Sequence, residues 1–231
     1  MGASLLLLPA CNRQSRAPEQ NGTPVPVEQE QHHHLVMHND YVRVYRAELA
    51  PGANMKLHRH DQDYVAVYLT DAELSEFVPG KPVQLVRHQS GQVRFSQAPL
   101  THSVSNTSNE VFRVVLVELA SPPAGKTGSQ PPAEGEHSLD LGHGHIEDVL
   151  LNNSRVQATE LQIAPGMGSD EDAGAHPQLL VWMDDGEVVS GAGGEPLRGK
   201  RGDVSWLNAN ADNLRNIGDH PAHLITLEFK R

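Results

Sequence analysis

Residues 41–52, YVRVYRAELAPG, recur in altered form 114 positions later as residues 155–166, RVQATELQIAPG. Asp71 and Glu73 match Asp185 and Glu187 at the same offset. Gly91, Asn106 and Glu118 match Gly202, Asn216 and Glu228 at offsets of 111, 110 and 110. Landmarks in one order, separated by small insertions and deletions, are what duplication of a folding unit leaves behind. Each copy must then close a core of its own, and the chain is expected to hold two similar domains, residues 35–120 and 145–231.

The fold class follows from periodicity. Val42 and Val44, Val65 to Leu69, Val83 to Val86, Val93 to Phe95 and Val111 to Leu119 alternate or run as short strands do. No segment of helical length in that half carries a 3.6-residue apolar stripe. Glycine (20) and proline (16) are plentiful while aromatics make up only 4%, a mixture suited to many short strands joined by tight turns. Both halves are read as all-β.

Residues 121–144 begin SPPAGKTGSQPPAEGE, with four prolines, and are read as the linker between the copies. Gly125-Lys126-Thr127 within it superficially resembles a phosphate loop, but Ala120 stands where that loop needs its first glycine. At the other end, residues 1–11, MGASLLLLPAC, read as the close of a lipoprotein-type signal, with Cys11 as the residue to be lipidated. That reading makes the protein exported, in the periplasm or cell envelope, with Cys11 as its membrane attachment. Residues 12–34 then read as a disordered tether, and His32, His33 and His34 as a solvated run. A net charge of −11, with no basic run to offset it, argues against a nucleic-acid partner.

The chemistry concentrates at GANMKLHRHDQDY, residues 52–64. His58 and His60 lie two apart on an expected strand, so both imidazoles project to one face and form the start of a metal site that wants a third nitrogen from elsewhere. Continued alternation places Gln62 and Tyr64 on that face and turns Asp61 and Asp63 away. Offset 114 puts Asp172 and Gly174 at the places of His58 and His60, so the second copy is expected to have lost the site. His88, His137, His143, His145, His220 and His223 are read as lying outside the site. Trp182 and Trp206 are read as core of the second copy, and Arg201-Gly202-Asp203 as a turn opening a strand.

With these residues in view, the chain resembles the cupin superfamily, and in particular a two-domain bicupin of the exported lipoprotein form. Gly52, His58 and His60 stand at the spacings of the family's first motif; Gly91, His102 and Asn106 stand at those of its second. The resemblance implies two tandem cupin-type jelly-roll β-barrels, with a divalent transition metal (Fe, Mn, Zn, Ni or Cu) held by His58, His60 and His102 in the first. The family's glutamate position is occupied by Tyr64, so the usual carboxylate ligand is missing, while Tyr64 and Gln62 would orient a ligand from behind the metal. The implied function is a metal-binding bicupin, an oxygenase- or isomerase-type enzyme acting on a small polar or anionic molecule. The alternative is a non-catalytic module that binds a small ligand or is structural, with a homodimer built on its sheets. Asn106 has a plainer reading, as the residue that ends a strand in a turn.

Overall fold

The computed structural model describes residues 17–120, 139–140, 145–169, 176–191, 193–209 and 213–230. Cys11, most of the linker, Asp172, Gly174 and Asp212 fall outside the described residues. Ten strands build the first half: β1 (Val25–Pro26), β2 (His33–His38), β3 (Val42–Leu49), β4 (His58–His60), β5 (Tyr64–Tyr68), β6 (Ala72–Phe77), β7 (Gln84–His88), β8 (Val93–Ser96), β9 (Leu100–Asn106) and β10 (Phe112–Leu119). They form two five-stranded sheets, ordered β1-β4-β9-β6-β7 and β2-β3-β10-β5-β8.

The second half contributes β11 (Leu139–Asp140), β12 (His145–Asn152), β13 (Val156–Ile163), β14 (Gln178–Trp182), β15 (Gly186–Ser190), β16 (Leu197–Gly199), β17 (Val204–Leu207), β18 (Leu214–Asn216) and β19 (Ala222–Phe229). These assemble as β11-β12-β13-β19-β14-β17 and β16-β15-β18. The chain is thus an all-β pair of tandem jelly-roll barrels. Among the described residues no helix is long and apolar enough to cross a membrane.

The segment expected to be a tether is, from Ala17 onward, part of the first barrel. Val25 and Pro26 pair in parallel with His58 and Arg59, a 3₁₀ turn over Val27–Gln29 follows, and His33 opens β2. Its low hydrophobicity misled the sequence reading, because this arm is secured largely by polar groups. The Glu19 carboxylate accepts from the Leu57 N–H at 3.3 Å, and the Glu19 carbonyl accepts from the Ser103 hydroxyl. The Ala17 carbonyl accepts from Asn54 Nδ2 at 3.1 Å. Val27 and Pro18 are the arm's buried apolar anchors.

Duplication shows in hydrogen bonds as well as in letters. Asn106 Nδ2 donates to the carbonyls of Leu49 (2.9 Å) and Glu110 (2.7 Å); Asn216 Nδ2 donates to those of Ile163 (2.8 Å) and His220 (2.7 Å). The N–H groups of Gly52 and Gly166 bond back to the same two asparagines' carbonyls, and both glycines sit at positive φ, 74° and 76°. Each asparagine therefore closes the strand it ends onto the hairpin of the preceding one.

The two barrels share a core. The inner faces of β5 carry Tyr64, Ala66 and Tyr68 into the first barrel, while Val65 and Val67 point the other way. In β14, Leu180 and Trp182 fill the second barrel, while Leu179 and Val181 point toward Val65 and Val67. Both strands are buried along their whole length, which is why each reads as a nearly unbroken apolar run. Polar contacts rim this seam. Arg155 bonds Asp63 at 2.7 Å, Arg46 bonds Asp203 at 3.0 Å, and Arg201 reaches the Leu69 carbonyl at 2.6 Å and Asp184 at 2.9 Å. Gly202 sits at φ +87°, a conformation side-chain-bearing residues rarely adopt, and a Cβ there would press on Leu69 Cδ1 at 2.9 Å. Trp182 is wholly buried, and Trp206 stacks on Phe229, so both belong to the packing of the second half as expected.

Leu227→Ala removes a fully buried side chain from this shared core and is expected to cost about 2–5 kcal/mol in urea denaturation. Because the core is common, tryptophan fluorescence, which reports the second half, and far-UV circular dichroism should give one coincident transition; two separated transitions would show that the halves unfold independently.

A pH dependence follows from His223, whose Nε2 lies 2.6 Å from Glu160 and whose Nδ1 lies 3.4 Å from Asp184. Burial pulls the His223 pKa down, but the two carboxylates overcome it and raise it; the hydrogen bond from His223 holds Glu160 down. Glu160 therefore adds stability above its ordinary value of 4.5, lost as pH falls through its lowered pKa. His223 adds stability below its ordinary 6.5, lost as pH rises through its raised pKa. His223→Gln should lower the melting temperature most between the two ordinary values, 4.5 and 6.5, and progressively less as pH rises through the raised His223 pKa.

Candidate metal centre

Four histidines meet inside the first barrel, three from one sheet and one from the sheet facing it. His58 and His60 are the inward residues of β4, and β4 pairs antiparallel with β9 so that His58 stands directly opposite His102. Direct opposition brings their ring centroids to 4.5 Å; His58 and His60 are 5.1 Å apart and His60 and His102 5.5 Å. The fourth ring is His33, at the head of β2, 4.9 Å from His58 and 6.0 Å from His60. His33, His58 and His60 each offer a nitrogen lying within 4.8 Å of the other two.

The rings are oriented from behind. His58 Nδ1–H donates to the Lys56 carbonyl at 2.8 Å, His33 Nδ1–H to Glu30 at 2.9 Å and His102 Nδ1–H to Glu76 at 2.7 Å, while His60 Nδ1 faces Glu118 at 3.3 Å. Each Nδ1 is thus engaged, while His102, whose ring lies nearest that of His58, falls outside the group of nitrogens within 4.8 Å of one another that His33, His58 and His60 form. His58 Nε2 is buried and has no hydrogen-bond partner. A buried imidazole nitrogen without a partner costs on the order of 1–3 kcal/mol, a cost a ligand at that point would remove.

Burial, reinforced by the neighbouring rings, favours the neutral form of His33, His58 and His60. His58 is pushed down to about 3, chiefly by desolvation and then by His102 and His33; His60 falls further for the same reasons, and His33 falls despite Glu30. Burial alone would raise Glu30, but the hydrogen bonds from His33 and from the His32 N–H hold it at about 2. Glu76 is held low first by its bond from His102. Glu118, buried beside His60, is pushed up to about 7 by desolvation against the pull of Arg43. Neutral imidazoles backed by carboxylates are the donor set a divalent transition metal requires.

The cluster opens onto a cavity of ≈ 280 Å³. Tyr64 lies on its wall, its ring 4.4 Å from that of His60 and its phenol held protonated by burial. Tyr68, pushed up to about 12 by burial, stacks on His88 at 3.9 Å.

Several sequence expectations need correction. His33 belongs to the cluster and not to a solvated run; Glu30, three residues earlier, was the only hint, and it acquires meaning once the 3₁₀ turn brings both side chains inward. Gln62 does not line the cavity, because the chain leaves one sheet at His60 and enters the other at Tyr64, and this corner breaks the alternation. His88, read as lying outside the site, lines the cavity wall. Asp61 bonds Arg59, and Asp63 bonds Arg155 and the Ala98 N–H, so neither carboxylate turns toward the histidines.

Comparison with known proteins fits this geometry. AerE from Microcystis aeruginosa superposes with a TM-score of 0.62 at 13% identity, covering 87% of this chain and 99% of that one. Oxalate decarboxylase from Bacillus subtilis superposes at 0.61 and 11% identity, covering 100% and 86%. A cupin 2 conserved barrel domain protein from Leptotrichia buccalis superposes at 0.52 and 12%, covering 86% and 88%. The fold is that of the cupin superfamily. No family model matches the chain. In sequence, 82 residues are 40% identical to the beta-alanine degradation protein BauB of Pseudomonas aeruginosa, covering 81% of that protein and 35% of this chain. The chain belongs to the family of that protein.

Asn106, which stands in the second cupin motif, holds the turn together, since its amide group satisfies the buried Leu49 carbonyl and the part-buried Glu110 carbonyl, and its Oδ1 accepts from the Ser108 N–H at 3.0 Å. Asn106→Ala should cost about 1–3 kcal/mol, chiefly from the buried Leu49 carbonyl left unsatisfied. Asn216→Ala, with the equivalent bonds in the other barrel, should cost a similar amount in the same denaturation experiment.

Proposed function

We propose that this chain is a metal-dependent cupin in which His58, His60 and His102, joined by His33, hold one divalent transition metal beside a cavity for a small polar or anionic molecule. The observation that carries the proposal is the partnerless, buried Nε2 of His58, set among rings whose other nitrogens are already engaged. His33 supplies a nitrogen that the cupin motifs do not include, and Glu30 and Glu76 return carboxylate charge one hydrogen bond further out. A metal bound here would polarise a ligand oxygen. Tyr64 and Ser96 would present hydroxyl groups to the cavity, and the apolar side chains of Leu74, Val104 and Leu116 would restrict water.

Catalysis is favoured over a purely bracing metal because all four histidines line the cavity. Four nitrogens complete a tetrahedral ion but leave two positions on a six-coordinate one, and those would face the cavity. The Bacillus subtilis oxalate decarboxylase is described by its Mn(II) centers. BauB is named for the breakdown of β-alanine, a molecule small enough for a cavity of ≈ 280 Å³.

Elemental analysis of protein purified without a histidine tag should find about one transition metal per chain. His58→Ala should lose it, while Glu76→Gln and Glu118→Gln should weaken its binding roughly 10–100-fold. Metal content unchanged in His58→Ala, or a wild type that takes up none, would contradict the proposal.

A further inference from the structure

The rim of the cavity carries charge of the opposite sign to the chain as a whole. Net charge is −11, yet the titratable groups lining the cavity beyond the four histidines and the two tyrosines are Arg94, Lys81, Glu76 and His88. Of these, Glu76 is occupied by His102 at 2.7 Å, and His88, lowered by burial, is neutral at pH 7. Arg94 and Lys81 remain as two exposed cations. Glu76 is near enough to Arg94 for the two charges to interact, but its nearest cationic partner is His102.

Arg94 is directed to this place by register. On β8 it stands opposite Ala66 of β5, and Ser96 stands opposite Tyr64; Ala66, Tyr64 and Ser96 all line the cavity. The alternate residues, Val93 and Phe95, pack against the core shared with the second barrel. A guanidinium on a strand pinned by that packing has little freedom to leave the cavity side. Tyr68, on the same face, hydrogen-bonds with Arg94 and is itself steadied by its stack on His88. Lys81 ends the Val78–Lys81 turn, closed by its own N–H to the Val78 carbonyl at 3.0 Å, and overhangs the same opening.

We propose that Arg94 and Lys81 form a carboxylate-recognition subsite, so that the substrate is a small organic acid anchored by one carboxylate at the rim with its other end directed to the histidine cluster. A planar guanidinium matches a carboxylate in two parallel hydrogen bonds. The ammonium of Lys81 adds charge without geometric demand. The cavity, ≈ 280 Å³, is at the lower edge of small-molecule sites, roughly 300–1,000 Å³, and limits the acid to a short one. The subsite deepens the metal-centre reading and rests on it for the fate of the acid's other end.

The test is isothermal titration of metal-loaded protein with succinate, with succinamate, which replaces one carboxylate by an amide, and with inorganic phosphate. Succinate should bind roughly tenfold more tightly than succinamate. Arg94→Met should bring that ratio close to one with metal content unchanged, and Arg94→Lys should restore part of it. Equal affinity for the two acids, an Arg94→Met variant that keeps the preference, or phosphate binding as tightly as succinate would overturn the subsite. Repeating the titration on His58→Ala protein separates the two ideas: an Arg94-dependent preference that survives without metal supports the subsite even where the metal reading fails, and its disappearance there, with metal binding intact in the wild type, overturns an independent anchor at the rim.

Discussion

Which nitrogen an imidazole has to spare is decided by what holds the other one. In this barrel the Lys56 carbonyl, Glu30 and Glu76 take the Nδ1 hydrogens of His58, His33 and His102, and Glu118 lies against His60 Nδ1. These supports come from different stretches of chain: the N-terminal arm, the approach to β4, strand β6 and strand β10. Together they fix the orientation of four side chains along one cavity, and burial favours the neutral form of three of them, His33, His58 and His60. Without the acceptors the rings could rotate, and the buried Nε2 of His58 would find other company. Leaving that atom without a partner carries a cost that a ligand there would remove.

The second barrel contributes to this site without touching it. Its sheet covers the outer face of β5 and β10, so that Val65, Val67, Val115 and Val117 are as dry as the barrel interior. Strands buried on both faces cannot slip register without moving every side chain to the wrong side. Tyr64 and Glu118 are cross-strand partners on that fixed pair, and both serve His60. A copy whose residues 172 and 174 are an aspartate and a glycine can thus remain useful as a brace. Its own asparagine closure, Asn216, keeps the geometry of Asn106 in a barrel that lacks the histidine pair at the matching positions.

What the sequence disclosed depended on whether the signal was local. The strands, the duplication and the inward pair His58 and His60 lie in short stretches whose period can be read directly. His102 needed the cupin spacing, because β9 is polar and carries little strand signal of its own. His33 could not be read in this way. It sits among three consecutive histidines in a stretch with few apolar residues, and only a turn that buries the Glu30–His33 pair together distinguishes it from its neighbours. Gln62 failed for the opposite reason: alternation was trusted across a corner where the chain changes sheets. Arg94 and Lys81 stayed silent because a lone cation on a short strand or in a turn has no meaning until the cavity beside it is known.

The central claim is that four imidazoles share one ion, and the most direct measurement is X-ray absorption at the edge of whichever metal the purified protein carries. A centre built from His33, His58, His60 and His102 predicts a first shell containing four nitrogens at about 2.0–2.1 Å, with the outer-shell scattering that imidazole rings produce, falling to three in His33→Ala. A first shell with two or fewer imidazoles, or one that His33→Ala leaves unchanged, would contradict it.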